Sequence, residues 1–107
     1  MNTRSKGRIA ENEYAKILED KGYTVQKVKG TLKFNKNVDF FGIFDLIAFN
    51  KEEWLLVQVK TNQTRGFKKI FNEWLADNPL PPNTSVILAV RYDRKPENER
   101  WKEYKLL

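Results

Sequence analysis

Two apolar, β-rich runs at 43–49 and 54–60 are separated only by Asn50-Lys51-Glu52-Glu53, and no other feature restricts the fold as much. So short a polar connection joins antiparallel neighbours, because a parallel pair needs a crossover of a dozen or more residues. Centring the turn on Lys51-Glu52, with a two- or a four-residue loop, gives one register. Phe49 then faces Trp54, Ile47 faces Leu56 and Asp45 faces Gln58, while Ala48/Leu55, Leu46/Val57 and Phe44/Val59 interleave on the other face. A slip of one residue would scramble both faces. Lys60 lies two positions beyond Gln58, hence on the same face. The register predicts that a carboxylate, a carboxamide and an ammonium converge at one end of an otherwise apolar sheet.

The rest of the chain supplies partners for this hairpin. Ala10, Tyr14, Ile17 and Leu18 fall at helical spacing within 8–20, and Gly22 stands where a helix C-cap glycine is expected. Residues 23–29 alternate as a strand with one solvated face, and 30–42 read as a loop or a loose extra strand. Phe67, Ile70, Phe71 and Trp74 mark a second helix over 66–77, stopped before Pro79-Leu80-Pro81-Pro82. Residues 84–92 form a near-continuous apolar strand of the kind buried on both faces. A polar turn at 93–99 then leads to an edge strand over 100–107. The order α-β-β-β-α-β-β predicts a single α/β domain, residues 1–107, with a mixed central sheet flanked by helices.

Composition narrows the chemistry. The 107 residues hold no Cys and no His, which excludes disulfide frameworks, thiolate zinc sites, Ser-His-Asp triads and HExxH metalloproteases. Catalysis would have to come from Asp, Glu, Lys, Tyr or a hard metal ion. No segment approaches the ~20 apolar residues of a membrane span, and the basic start lacks an apolar signal core. A cytoplasmic protein without membrane contact is therefore expected. Lys and Arg total 20 against 14 Asp and Glu, a net charge of +6 that favours polyanionic partners, nucleic acid first.

The Asp45/Gln58/Lys60 trio has two readings. Polar groups among apolar neighbours must pair or bind an ion. One solution is a structural Asp45–Lys60 ion pair bridged by Gln58. The other is a magnesium site, since carboxylate and amide oxygens suit a hard cation that keeps several waters. A lysine beside such an ion can orient the attacking water and stabilise charge on a phosphoryl group.

Asp45 followed by Gln58-Val59-Lys60 resembles the PD-(D/E)xK nuclease core, in which an Asp opens one strand and an acid-x-Lys lies on the next. The start, Arg4-Ser5-Lys6-Gly7-Arg8-Ile9-Ala10-Glu11, and the helix end Lys21-Gly22-Tyr23 are similar to those of archaeal-type Holliday-junction resolvases. Ile87-Leu88-Ala89-Val90-Arg91-Tyr92 and Trp101 resemble that family's final strands. The resemblance spans most of the chain in order, and it implies a restriction-endonuclease-like fold and a metal-dependent DNA endonuclease acting on branched DNA. It implies Asp45, Gln58 and Glu11 as ligands of Mg2+, with Mn2+ as a substitute, and Lys60 as the catalytic lysine. Cutting two symmetric strands implies a C2 homodimer, for which the Phe67/Phe71/Trp74 helix and the last strand are candidate interface elements. Helical geometry alone does not choose between Glu11 and Glu13, which flank the apolar stripe on opposite sides. Asp39 is a further accessory candidate. Gln58 departs from the family's usual Glu, which predicts weaker metal binding or loss of activity. A non-catalytic nucleic-acid-binding module on the same fold is the alternative, as is a nicking or restriction-type nuclease with another substrate.

Cations adjoin the expected site from three directions: Arg4, Lys6 and Arg8 on the first helix; Lys33 and Lys36 before Asp45; Arg65 and Lys68 after Lys60. With Asn62 they are the candidate phosphate contacts. No recognition helix or other base-reading motif occurs, so selectivity for structure rather than sequence is expected. Phe40, Phe41 and Trp54 could stack on bases, though aromatics at such spacings usually serve the core.

Overall fold

A computed structural model of the chain describes residues 3–27 and 40–107, with side chains from residue 7 onward. Two helices, α1 (Thr3–Asp20) and α2 (Phe67–Asp77), flank a five-stranded sheet of β1 (Thr24–Lys27), β2 (Leu46–Phe49), β3 (Trp54–Thr61), β4 (Thr84–Arg91) and β5 (Trp101–Lys105). Strand order follows the sequence, β1-β2-β3-β4-β5. All neighbours are antiparallel except β3 and β4, whose parallel pairing is made possible by the crossover through α2. The mixed sheet between helices is the architecture expected from the element order.

Each face of the sheet takes one helix. Tyr14, Ala15 and Leu18 of α1 pack on Leu46, Ala48, Leu55, Val57, Val59 and Ala89. On the other face Phe67 and Phe71 of α2 pack on Phe44, Leu56, Val86, Leu88 and Val90. Alternation along β3 thus sends odd positions to α1 and even ones to α2. Phe44 meets the rings of Phe67, Phe71 and Trp74 edge-on at centroid distances of 6.1, 6.3 and 5.5 Å. Phe67 and Phe71 are therefore core residues, whereas Trp74 of the same helix is half-buried and Ile70 exposed.

Helix α1 begins five residues earlier than its apolar periodicity suggests, at Thr3. Nothing between Thr3 and Arg8 breaks a helix except Gly7, at a cost of only about 1 kcal/mol, so the polar start propagates from the buried turns behind it. The backbones of Arg4 and Lys6 accordingly belong to α1. Strand β1 ends at Lys27 within the described residues; Lys33, Lys36 and Asp39 lie outside them.

The hairpin register holds from Phe49↔Trp54 through Leu46↔Val57. Asn50 closes it, its Oδ1 accepting the Glu52 and Glu53 amides at 2.8 and 2.9 Å. Beyond Leu46 the ladder departs from expectation. Phe44 lies in the α2 core while Val59 lies in the α1 core, so these two do not share a face. The cause is a turn before β2: Phe41 (φ 54) and Gly42 (φ 80) are both left-handed, and Phe40 and Phe44 exchange main-chain bonds of 2.7 and 3.0 Å. That turn directs Phe44 into the aromatic cluster and leaves Asp45 to bridge the change of face.

Candidate active site

Asp45 is joined to β3 by side chain and main chain. Its amide donates to the Val57 carbonyl at 2.8 Å, and its Oδ2 accepts the Val59 amide at 2.9 Å. The carboxylate replaces the main-chain carbonyl that a continuing strand would have offered Val59. Val57 and Val59 flank Gln58, so Asp45 is held across from Gln58, though not as the regular strand pair the register predicts. Asp45 is 7% exposed, the single buried charged residue among those described.

Gln58 and Lys60 follow Leu56 on the α2 side of β3. Gln58 is half-buried, yet its Oε1 is sealed from solvent and accepts no hydrogen bond among the described residues. An unmatched buried acceptor of this kind costs about 1–3 kcal/mol. The Lys60 ammonium donates to the Arg65 carbonyl at 2.7 Å, drawing the loop after β3 back over the strand end. Gln63 supports the same loop by accepting the Arg65 amide at 2.7 Å. Gly66, left-handed at φ 87, then turns the chain into α2.

Glu11 heads the helical row that continues through Tyr14, Ala15 and Leu18, all buried, and is itself half-buried. Asn12 accepts a bond from Lys27 at the end of β1, and Glu13 accepts one from Arg91 at the end of β4. Glu11 thus stands over the sheet end at which β3 delivers Gln58 and Lys60, approaching it from the α1 side. Glu13 is differently employed: it accepts the Arg91 Nε at 3.1 Å and the Trp101 indole N–H at 2.8 Å, fastening α1 to β4 and β5.

Among the candidate phosphate contacts, Arg8, Arg65 and Lys68 are exposed near this end. Asn62 is committed to structure. It occupies the left-handed region (φ 60), and its carboxamide exchanges two 3.0 Å bonds with Asp93, one to the side chain and one to the main chain. Trp54 stands at the opposite end of the sheet beside Phe49, and Phe41, 63% exposed, leans on Trp74. Sequence reasoning passed over the turn after β4, where Asn62, Tyr92, Arg94 and Lys95 line an open hollow of about 350 Å³. Its only sequence signal is the adjacent pair Arg94-Lys95. The Tyr92 phenol is raised above its ordinary value, chiefly by its hydrogen bond with Tyr104 and then by burial.

The donor set fits a hard cation. It consists of oxygens only: the pinned Asp45 carboxylate, the unmatched Gln58 carbonyl and, from the other side, Glu11. Among the described residues no three or more acidic side chains gather into a metal cage, so an ion held here would keep much of its water.

The fold is shared with a solved structure. Hjc from Archaeoglobus fulgidus, a Holliday junction resolvase from an archaeal hyperthermophile, superposes with a TM-score of 0.61 at 16% identity, over 94% of this chain and 73% of that one. No family model matches the sequence, and no curated protein matches it significantly. Among the described residues no helix is long and apolar enough to cross a membrane.

Proposed function

We propose that the chain is a metal-dependent DNA endonuclease of the PD-(D/E)xK type, acting at the end of β3 on branched DNA as a homodimer. The observation that carries the reading is the Gln58 Oε1, buried and unmatched beside the pinned Asp45 carboxylate and two residues before Lys60. A purely structural trio would satisfy that oxygen. Lys60 does not reach it but donates to the Arg65 carbonyl. The shared fold and the net charge of +6 support a nucleic-acid substrate.

Asp45, Gln58 and Glu11 would hold Mg2+, or Mn2+ in its place, which when bound polarises a phosphoryl oxygen and makes water a better nucleophile. The remaining work falls to the chain. Asp45 is fixed by two main-chain bonds and needs no reorganisation as charge develops. Lys60 supplies a positive charge beside the phosphate and a donor to orient the water that attacks phosphorus as the P–O bond breaks. Arg8, Arg65 and Lys68 would contact phosphates and fix the register of the duplex without reading its sequence.

The test is a panel of four-way junction, linear duplex and single strand, each incubated with Mg2+ and wild-type or Asp45→Asn protein. The expected result is preferential junction cutting by the wild type and none by the variant. A wild type that binds DNA without cutting it in either Mg2+ or Mn2+ would replace this reading with a binding module whose Gln58 marks a lost activity. Cutting of linear DNA alone would keep the nuclease and remove the junction.

A further inference from the structure

Glu11 and Lys60 come to the candidate site on different elements, and a run of polar bonds connects those elements beside it. On α1, Glu13 stands two residues after Glu11. Its carboxylate accepts the Arg91 Nε at 3.1 Å and the Trp101 indole N–H at 2.8 Å. The Arg91 guanidinium also donates to the Asp93 carboxylate. Asp93 in turn exchanges two 3.0 Å bonds with Asn62, which stands two residues after Lys60. The Asn62 amide closes the circuit by donating to the Arg91 carbonyl at 2.9 Å. These bonds hold Asn62 in the left-handed region (φ 60), so the chain leaving Lys60 has a fixed course.

The ion pairs Lys16–Asp20 and Lys21–Glu103 lie in the open, whereas the Arg91 side chain is only 16% exposed. Exposed pairs contribute little, but a shielded guanidinium shared by two carboxylates holds its partners in a defined geometry. Its place on α1 is informative. Successive helix residues turn by about 100°, so Asn12 and Glu13 project to either side of the row headed by Glu11. Both flanks are bonded: Asn12 accepts Lys27 at the end of β1, and Glu13 reaches the ends of β4 and β5. Rolling α1 about its axis would swing Glu11 across the sheet end, and it would break one flank or the other. We infer that Glu13 and Arg91 are positioning residues for the proposed metal site: their ion pair, continued through Asp93 and Asn62, fixes Glu11 on α1 relative to Gln58 and Lys60 on β3. The inference rests on the metal-site reading and adds the residues that keep its two sides in register. They act as the outer partners of metal ligands do, by holding a ligand in place.

Two readouts test it, neither of them cleavage. The first is Mn2+ affinity of the DNA-free protein, read from the loss of the free-ion paramagnetic resonance signal. The second is the distance between spin labels on α1 and after β3. The chain has no Cys, so Lys16→Cys and Thr64→Cys, both at exposed positions, take the labels alone. Wild type is compared with Glu13→Ala and with Glu13→Gln, which keeps one acceptor oxygen. A control, Ile17→Ala, loosens the packing of α1 on the sheet one turn away. The expected result is about 10-fold weaker Mn2+ binding by Glu13→Ala, with a shifted or broadened label distance. Glu13→Gln should show smaller changes in the same direction, which keeps the test open should the alanine variant not fold. Ile17→Ala should lower the melting temperature and leave both readouts at their wild-type values. Wild-type Mn2+ affinity in folded Glu13→Ala, or an equal loss in Ile17→Ala, would overturn the positioning role. Weaker binding without any change in label distance would do the same. Wild type that binds Mn2+ no better than Asp45→Asn, with the label distance still altered by Glu13→Ala, would instead sink the metal site and keep the clamp between α1 and β3.

Discussion

Asp45 carries both a structural bond and the proposed chemistry, and two substitutions separate them. Asp45→Ala removes the acceptor of the Val59 amide, a 2.9 Å bond in a buried setting. Leaving that donor unmatched costs about 1–3 kcal/mol. Asp45→Asn keeps an oxygen at the same place and removes a buried charge, which is itself costly to hold. The alanine variant should therefore be about 2 kcal/mol less stable than wild type, and the asparagine variant within ~1 kcal/mol of it or more stable. In urea the alanine midpoint should fall by about 1 M at a typical slope for a chain this size, with the slope unchanged. Both variants should lose cleavage. Equal midpoints for alanine and asparagine would refute the claim that Asp45 closes the β3 ladder.

Other consequences are open to direct measurement. Gln58→Glu adds a carboxylate where the buried oxygen now lacks a partner, and should raise Mg2+ affinity in calorimetry; unchanged affinity would remove Gln58 from the ligand set. Phe71→Ala empties the centre of the aromatic cluster under α2 and should cost about 3–5 kcal/mol in denaturant unfolding, with a smaller loss showing that the cluster repacks. Burial, then the hydrogen bond to Glu103, raises the Tyr14 phenol above its ordinary 10.0. Folded protein thus retains a proton that the unfolded chain releases, so stability present below pH 10 should decline above it by about 1.4 kcal/mol per pH unit from this group. Tyr14→Phe should reduce that decline; an identical alkaline slope in the variant would show that Tyr14 ionises normally.

The fold was legible because its hairpin is written twice, once in the alternation of 43–49 and once in that of 54–60. Apolar periodicity likewise marked α2, a near-continuous apolar run marked β4, and proline marked the end of α2. Three features escaped for physical reasons. Asp45 ends the ladder by giving a side-chain oxygen to Val59, and such a substitution leaves no periodic trace. The left-handed turn at Phe41-Gly42 reverses the face of Phe44, and only Gly42 hinted at it. Glu13 and Asn62 looked like site residues, yet their polar atoms are spent on Arg91, Trp101 and Asp93, partners far away in sequence. The pairing that brings Asp45 and Gln58 to neighbouring strands was readable from register as far as Leu46 and Val57. That Gln58 would be left without a partner was not, because satisfaction depends on what the neighbouring side chains find to bond.

Single-turnover cleavage of a four-way junction across a Mg2+ titration, wild type beside folded Asp45→Asn, bears most directly on the central claim. Cutting that rises and saturates with Mg2+ in the wild type, and is absent from the variant at every concentration, is the result predicted. Equal cutting by both proteins, or none by the wild type, would contradict the assignment of a metal-dependent nuclease site to Asp45, Gln58 and Lys60.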